Sequence, residues 1–279
     1  MTSHEPFFRP VASNPLNDLQ RAHLFYEQLQ RGQFHLAFQP VVAPGETQRV
    51  LYRESLLRHA GEGLGFNPFP LLERLHVIRP LDHRVICTVL TLLRDNPALT
   101  LGCNISALST VLDSDWDQLL ERFSSAPEVA RRLVIEITES AVPPNHRSAV
   151  DLVHRLRHTG CRVAVDDFGS GFGTLSFIQQ SQPDIIKIDQ SYIQRARNST
   201  HGEKTLKYLL ELCKTLAPCV IVEGIETSAD LHLAQSLGSY WVQGYLFGQP
   251  SSDITGMQGS CLLYTSDAAD DSLRVDLGG

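Results

Sequence analysis

The stretch CRVAVDDFGSGFG, residues 161–173, decides how this chain folds. Apart from Arg162, its first five residues are apolar, the pattern of a parallel strand covered on both faces. The run then ends in two adjacent carboxylates, Asp166 and Asp167, and breaks into alternating glycines. Like charges side by side repel and are costly to desolvate, so a strand meant only for burial would not finish this way. Such a pair belongs on a wet surface or around a cation.

Outward from this stretch, similar runs alternate with helical patterns. Strands are expected at 35–42, 49–57, 99–106, 132–139, 161–168, 184–189, 219–225 and 240–247. AVDLVHRLRHTG, from Ala149, repeats apolar residues at helical spacing and stops at Gly160. EKTLKYLLELCKTLAP ends at Pro218, and TSADLHLAQSLG offers Thr227 or Ser228 as N-cap and Gly238 as stop. Eight strand-like runs with helices between them fit the rhythm of a (β/α)8 barrel. The first connection, with Pro44 and Gly45, is too short for a crossover helix. It reads as a hairpin, so the first strand is expected to run antiparallel to the second. The competing α/β architecture is a doubly wound sheet, which normally carries its glycine-rich loop after an early strand. Here GSGFG follows the fifth.

The 279 residues are 42% hydrophobic, enough for a large core. The net charge of −7 and the lack of a basic run argue against binding long nucleic acids. Six cysteines without a CxxC suit core thiols of a reducing compartment. The first residues, MTSHEPFFRPVASNPLND, do not read as a secretory signal, and no apolar run is long enough to span a membrane. A cytoplasmic location is expected. The last 29 residues, 251–279, lack periodicity and read as a non-native tail behind a barrel that closes near Pro250.

Polar residues gather at the C-terminal ends of the strands, where active sites of this barrel sit. They are Glu54, Asn104, Glu136 with Glu139, Asp166 with Asp167, Lys187 with Asp189, Glu223 with Glu226, and Gln243; Gln39 lies on the first strand. So many acids around one mouth would raise one another's pKa values unless cations joined them. Carboxylate and amide oxygens without soft ligands suit Mg²⁺ or Mn²⁺. Adjacent Asp166 and Asp167 allow one acid to bridge two ions. Singly, each residue has a plainer reading: a solvated strand end for Glu136, a turn cap for Asn104, an ion pair for Lys187, rim hydrogen bonds for Gln39 and Gln243. Their recurrence at successive strand ends favours a shared site.

The motifs FQPVV, ESLLR, NIS, EITES, DDFGSGFGTLSF, PDIIKID, VEGIE and QGYLFGQP, in this order over about residues 20–250, resemble the EAL-domain cyclic di-GMP phosphodiesterases. The resemblance implies a modified TIM barrel over 21–250, preceded by a short extension, 1–20. It implies two divalent ions, Mg²⁺ or Mn²⁺, with Ca²⁺ inhibitory, and hydrolysis of cyclic di-GMP to linear pGpG. It makes Glu54, Asn104, Glu136, Asp166, Asp167 and Glu223 metal ligands, and Lys187 and Glu223 catalytic. Gln39, Leu56, Arg58, Glu139, Asp189, Glu226 and Gln243 then contact substrate or support the site. A homodimer is also implied.

Two departures from the family pattern stand out. Ser55 replaces the usual alanine of the signature, but it points away from Glu54 across the pleat. Phe172 and Gly173 stand where the loop after the double aspartate usually has tyrosine and a small hydroxyl residue. The 20 residues ahead of the match leave no room for a cyclase or sensory module, so a single enzyme unit is expected. The alternatives are a cyclic di-GMP receptor that holds the ligand without cleaving it, and a metal-dependent lyase or isomerase using Lys187 as base.

Overall fold

The computed structural model describes residues 15–61, 63–171 and 174–254. Phe172, Gly173, Cys261 and most of the expected tail lie outside them. Eight strands close into a barrel in sequence order: β1 (Phe34–Ala43), β2 (Glu46–His59), β3 (Leu101–Ser106), β4 (Leu133–Thr138), β5 (Arg162–Phe168), β6 (Ile185–Ile188), β7 (Cys219–Val222) and β8 (Trp241–Gln243). β1 pairs antiparallel with both β2 and β8, and every other neighbouring pair is parallel. The doubly wound alternative is excluded, and the expected hairpin is present, with Ala43 paired to Glu46 around Pro44 and Gly45.

Helices fill the parallel crossovers, among them Arg79–Asp95, Ser114–Ser125, His146–His158, Leu175–Ser181, Thr200–Leu216 and Ser228–Ser236. A further helix, Pro15–Gln30, precedes β1 and buries Ala22, Phe25 and Leu29. Thr227 caps the last crossover helix in a reciprocal capping box with Asp230. The five cysteines among the described residues are free thiols.

Two strands end earlier than their apolar runs suggest. β7 stops at Val222 because Gly224 turns the backbone with φ +73°. β8 stops at Gln243, after which Gly244 passes so close to Ile225 that an added Cβ would lie 2.1 Å from its carbonyl oxygen. Both breaks put a polar residue, Glu223 or Gln243, at the mouth where its strand finishes.

The core has two parts. The larger packs the outward strand faces against the helices, with residues such as Cys103, Ile135, Val163 and Leu206. The smaller fills the barrel itself with Val41, Tyr52, Val134, Ala164, Ile185 and Ile221, joined by Trp241. Successive side chains alternate between faces. Two positions beyond each interior residue, towards the mouth, stand Gln39, Glu54, Glu136, Asp166, Lys187, Glu223 and Gln243. The apolar layer is therefore the floor of a polar one.

Candidate metal centre at the barrel mouth

Lys187 stands at the middle of the polar layer, almost fully buried. Its Nζ lies 3.0 Å from Glu54 Oε2 and 2.9 Å from each of Glu136 Oε2, Asp166 Oδ1 and Glu223 Oε1. Asn104 Nδ2 donates to Glu54 Oε1 at 2.6 Å, and Gln243 Nε2 donates to Glu54 Oε2 at 2.6 Å and to Gln39 Oε1 at 3.3 Å. Seven strands and the residue after β7 thus meet at one point.

Both aspartates of the opening stretch reach the mouth because β5 is bulged. Val165 pairs with Ile186 and Phe168 with Ile188, so two residues of β5 oppose one of β6. In a regular strand Asp166 and Asp167 would point to opposite faces; the extra residue re-aims one of them. Asp167 takes up the irregularity with φ +54°, a left-handed conformation that costs a non-glycine residue on the order of 1 kcal/mol. Gly169 follows at φ +92°, packed against Tyr192, whose hydroxyl donates to the Gly169 carbonyl at 3.0 Å. On the other side, the Gly169 amide donates to Glu139 Oε2 at 3.3 Å.

The electrostatics are those of crowded acids around one cation. Burial alone would lower the Lys187 pKa, but Asp166, Glu136, Glu223 and Glu54 hold it well above its ordinary value. Burial, with the neighbouring acids, pushes Glu136 up to about 8 and Asp167 up to about 8. Glu223 is raised well above the carboxylate range by burial, and Asp166 is raised for the same reason. Glu54 is the exception: Lys187 and the amides of Gln243 and Asn104 outweigh burial and lower its pKa. One lysine does not neutralise five carboxylates, so protons or cations must supply the rest.

Cations fit. Two groups of carboxylates each bring ligand atoms within 4.8 Å of one another: Glu54, Glu136 and Asp166, then Asp166, Asp167 and Glu223. Asp166 is common to both. Four buried oxygens at this mouth have no hydrogen-bond donor, namely Asn104 Oδ1, Glu136 Oε1, Asp167 Oδ2 and Gln243 Oε1. Bare acceptors without nitrogen or sulfur ligands match hard divalent ions.

The remaining candidates are dispersed. Leu56 and Glu226 line the same cleft as Glu54, Asp167 and Gln39. Glu226 also lies 3.1 Å from Arg197, which holds both oxygens of Asp230 and the Gly224 carbonyl. Glu139 holds the loop after β5, as described. Asp189 caps the helix Gln190–Ala196 by accepting from the Ser191 amide, and Arg58, near the end of β2, donates to the Leu57 carbonyl. One residue escaped the sequence reading: Tyr52, on the barrel floor, donates its hydroxyl to Glu136 Oε2 at 3.1 Å. Its position two residues before Glu54 on the same pleat face was the available signal.

A family model described as EAL domain matches residues 17–250. A cyclic di-GMP phosphodiesterase of Pseudomonas aeruginosa is 32% identical over 226 residues, which is 78% of this chain and 38% of the relative. The cyclic di-GMP phosphodiesterase TpdA of Vibrio parahaemolyticus is 29% identical over 216 residues, 77% of this chain and 37% of that protein. The chain therefore spans less than two fifths of the length of either. Among solved structures, the PaMucR phosphodiesterase in complex with c-di-GMP superposes with a TM-score of 0.72 at 25% identity, covering 83% of this chain and 97% of that one. A manganese and c-di-GMP complex of Klebsiella pneumoniae BlrP1 gives a TM-score of 0.66 at 25% identity, covering 78% and 56%. Matched along most of its length, with the barrel and the mouth acids in place, this chain belongs to the EAL domain family.

Proposed function

We propose that the barrel mouth hydrolyses cyclic di-GMP to linear pGpG with two divalent ions. The observation that carries this reading is the pair of carboxylate groups sharing Asp166. The manganese complex of BlrP1 and the phosphodiesterase relatives support it. Glu54, Asn104, Glu136 and Asp166 would hold one ion, and Asp166, Asp167 and Glu223 the other. Bound there, Mg²⁺ or Mn²⁺ supplies Lewis acidity and offsets the charge of the phosphodiester. Lys187 keeps its proton and places a fixed positive charge where negative charge grows on the phosphoryl oxygens. Glu223, the most open of Lys187's partners with its side chain 15% exposed, is placed to accept a proton from the attacking water. That water's oxygen bonds to phosphorus as the P–O3′ bond breaks, and the departing 3′ oxygen takes its proton from solvent, to which Glu223 later returns the one it accepted. Gln243, bonded also to Gln39, fixes Glu54 and keeps its own Oε1 free to accept.

Calcium is expected to inhibit, because its longer and more flexible coordination organises an octahedral attack poorly. The barrel over 21–250 is the catalytic unit, working as a homodimer. Among the described residues, no helix is long and apolar enough to cross a membrane.

The test is incubation of the purified protein with cyclic di-GMP and Mg²⁺ or Mn²⁺, with products separated by chromatography. Formation of pGpG that disappears in Glu54→Ala is the expected result. Tight binding without product, in folded and metal-loaded protein, would overturn the enzyme in favour of a receptor.

A further inference from the structure

Tyr52 lies on β2 yet bonds to Glu136 on β4, reaching across the whole width of β3. The crossing is possible because β3 carries no side chain at that point. A Cβ added to Gly102 would fall 2.6 Å from Tyr52 Cε2 and 2.1 Å from Glu136 Oε1. Gly102 is not in the left-handed region, so space is what requires glycine there. The tyrosine ring and the glycine are a matched pair, one filling the volume the other leaves.

The consequence falls on Glu136. Its Oε2 accepts from the Tyr52 hydroxyl and lies 2.9 Å from Lys187 Nζ, while its Oε1 is buried without any donor. A carboxylate held by one oxygen from below cannot rotate freely, and its second oxygen is fixed in direction. Partners behind a metal ligand commonly set both its orientation and the strength of binding.

We propose that Tyr52, seated in the gap left by Gly102, is a positioning residue that anchors the Glu136 carboxylate through Oε2 and fixes its orientation toward the metal site. This rests on the two-ion reading above. Tyr52 touches neither the ion nor the phosphate, so its effect is on metal affinity first and on turnover through it.

The experiment is calorimetric titration of the full chain with Mn²⁺, without substrate. Tyr52→Phe removes one oxygen and keeps the ring; it is expected to bind Mn²⁺ about tenfold more weakly. In a Glu136→Gln background the same change is expected to have little further effect. At saturating Mn²⁺, kcat of Tyr52→Phe should recover, with KM for cyclic di-GMP unchanged. Gly102→Ala, whose Cβ would crowd both the Tyr52 ring and Glu136 Oε1, should also weaken Mn²⁺ and reads the same contact from its other side where Tyr52→Phe fails to fold. Mn²⁺ affinity of Tyr52→Phe within twofold of wild type would overturn the assignment, as would an equal loss in the Glu136→Gln background. If wild type binds Mn²⁺ but makes no pGpG, the phosphodiesterase reading fails while the titration still decides Tyr52. If wild type binds no Mn²⁺, both fall.

Discussion

Lys187 Nζ meets Glu54 Oε2 at 3.0 Å across the barrel, joining residues 133 positions apart in the chain. Glu136, Asp166 and Glu223 crowd the same ammonium, so this one cation screens four acids from each other. Removing one member of a buried ion cluster leaves uncompensated charge, typically costing about 3–5 kcal/mol. Lys187→Ala is therefore expected to lower the melting temperature in chelator, with Mg²⁺ recovering part of the loss. Turnover should fall at least a hundredfold even with metal present. Near-normal kcat/KM in this variant would remove Lys187 from the mechanism.

Metal uptake should release protons. Glu136 and Asp167, each pushed up to about 8 by burial and neighbouring acids, hold protons at pH 7 that a bound cation displaces. Apparent Mn²⁺ affinity is then expected to rise as the pH increases from about 6 to 8.5. Calorimetry at pH 7 in two buffers of different ionisation enthalpy would count the protons. Identical heats in both buffers would refute the linkage.

Away from the mouth, Asp82 is fully buried, with its Oδ2 accepting from the Ser106 amide at 2.9 Å and the Ser109 hydroxyl. Burial still dominates and raises its pKa to about 7. The folded state thus holds a proton that the unfolded chain has already lost between about pH 4 and 7. Stability attributable to Asp82 is present below that window and declines as pH rises through it, by up to a few kcal/mol. Asp82→Asn keeps an acceptor for both donors and has no proton to lose. Its melting temperature is expected to vary less than that of wild type between pH 5 and 7.5. Parallel pH profiles for the two proteins would contradict this account.

Much of the barrel was legible because parallel strands write long apolar runs, and because period-two alternation carries Glu54, Glu136, Lys187 and Glu223 to one face. The limits were equally physical. That Asp166 and Asp167 share a side depends on a bulge, which is a property of register between strands and not of either residue. Asp189 read as a strand-end acid like its neighbours, yet β6 stops at Ile188 and the carboxylate turns to cap a helix. Tyr52 and Gly102 sit inside apolar strand runs like other core residues. Their relation to Glu136 exists only once three strands lie side by side.

Ser55 can be judged directly. It pairs with Phe38 and Cys103 on the face of β2 opposite Glu54, is 1% exposed, and its hydroxyl has no hydrogen-bond partner. Burying a hydroxyl without a partner costs roughly 1–3 kcal/mol. Alanine fits the same space without that cost, so Ser55→Ala should raise the melting temperature by about 2–4 °C per kcal/mol recovered. Because the hydroxyl points away from the carboxylates, kcat/KM for cyclic di-GMP should stay within about twofold. Thermal unfolding and steady-state rates on the same preparation separate the two effects. An unchanged or lower melting temperature would mean that the hydroxyl finds a partner in solution, and a large change in rate would mean that the outer face of β2 reaches the site.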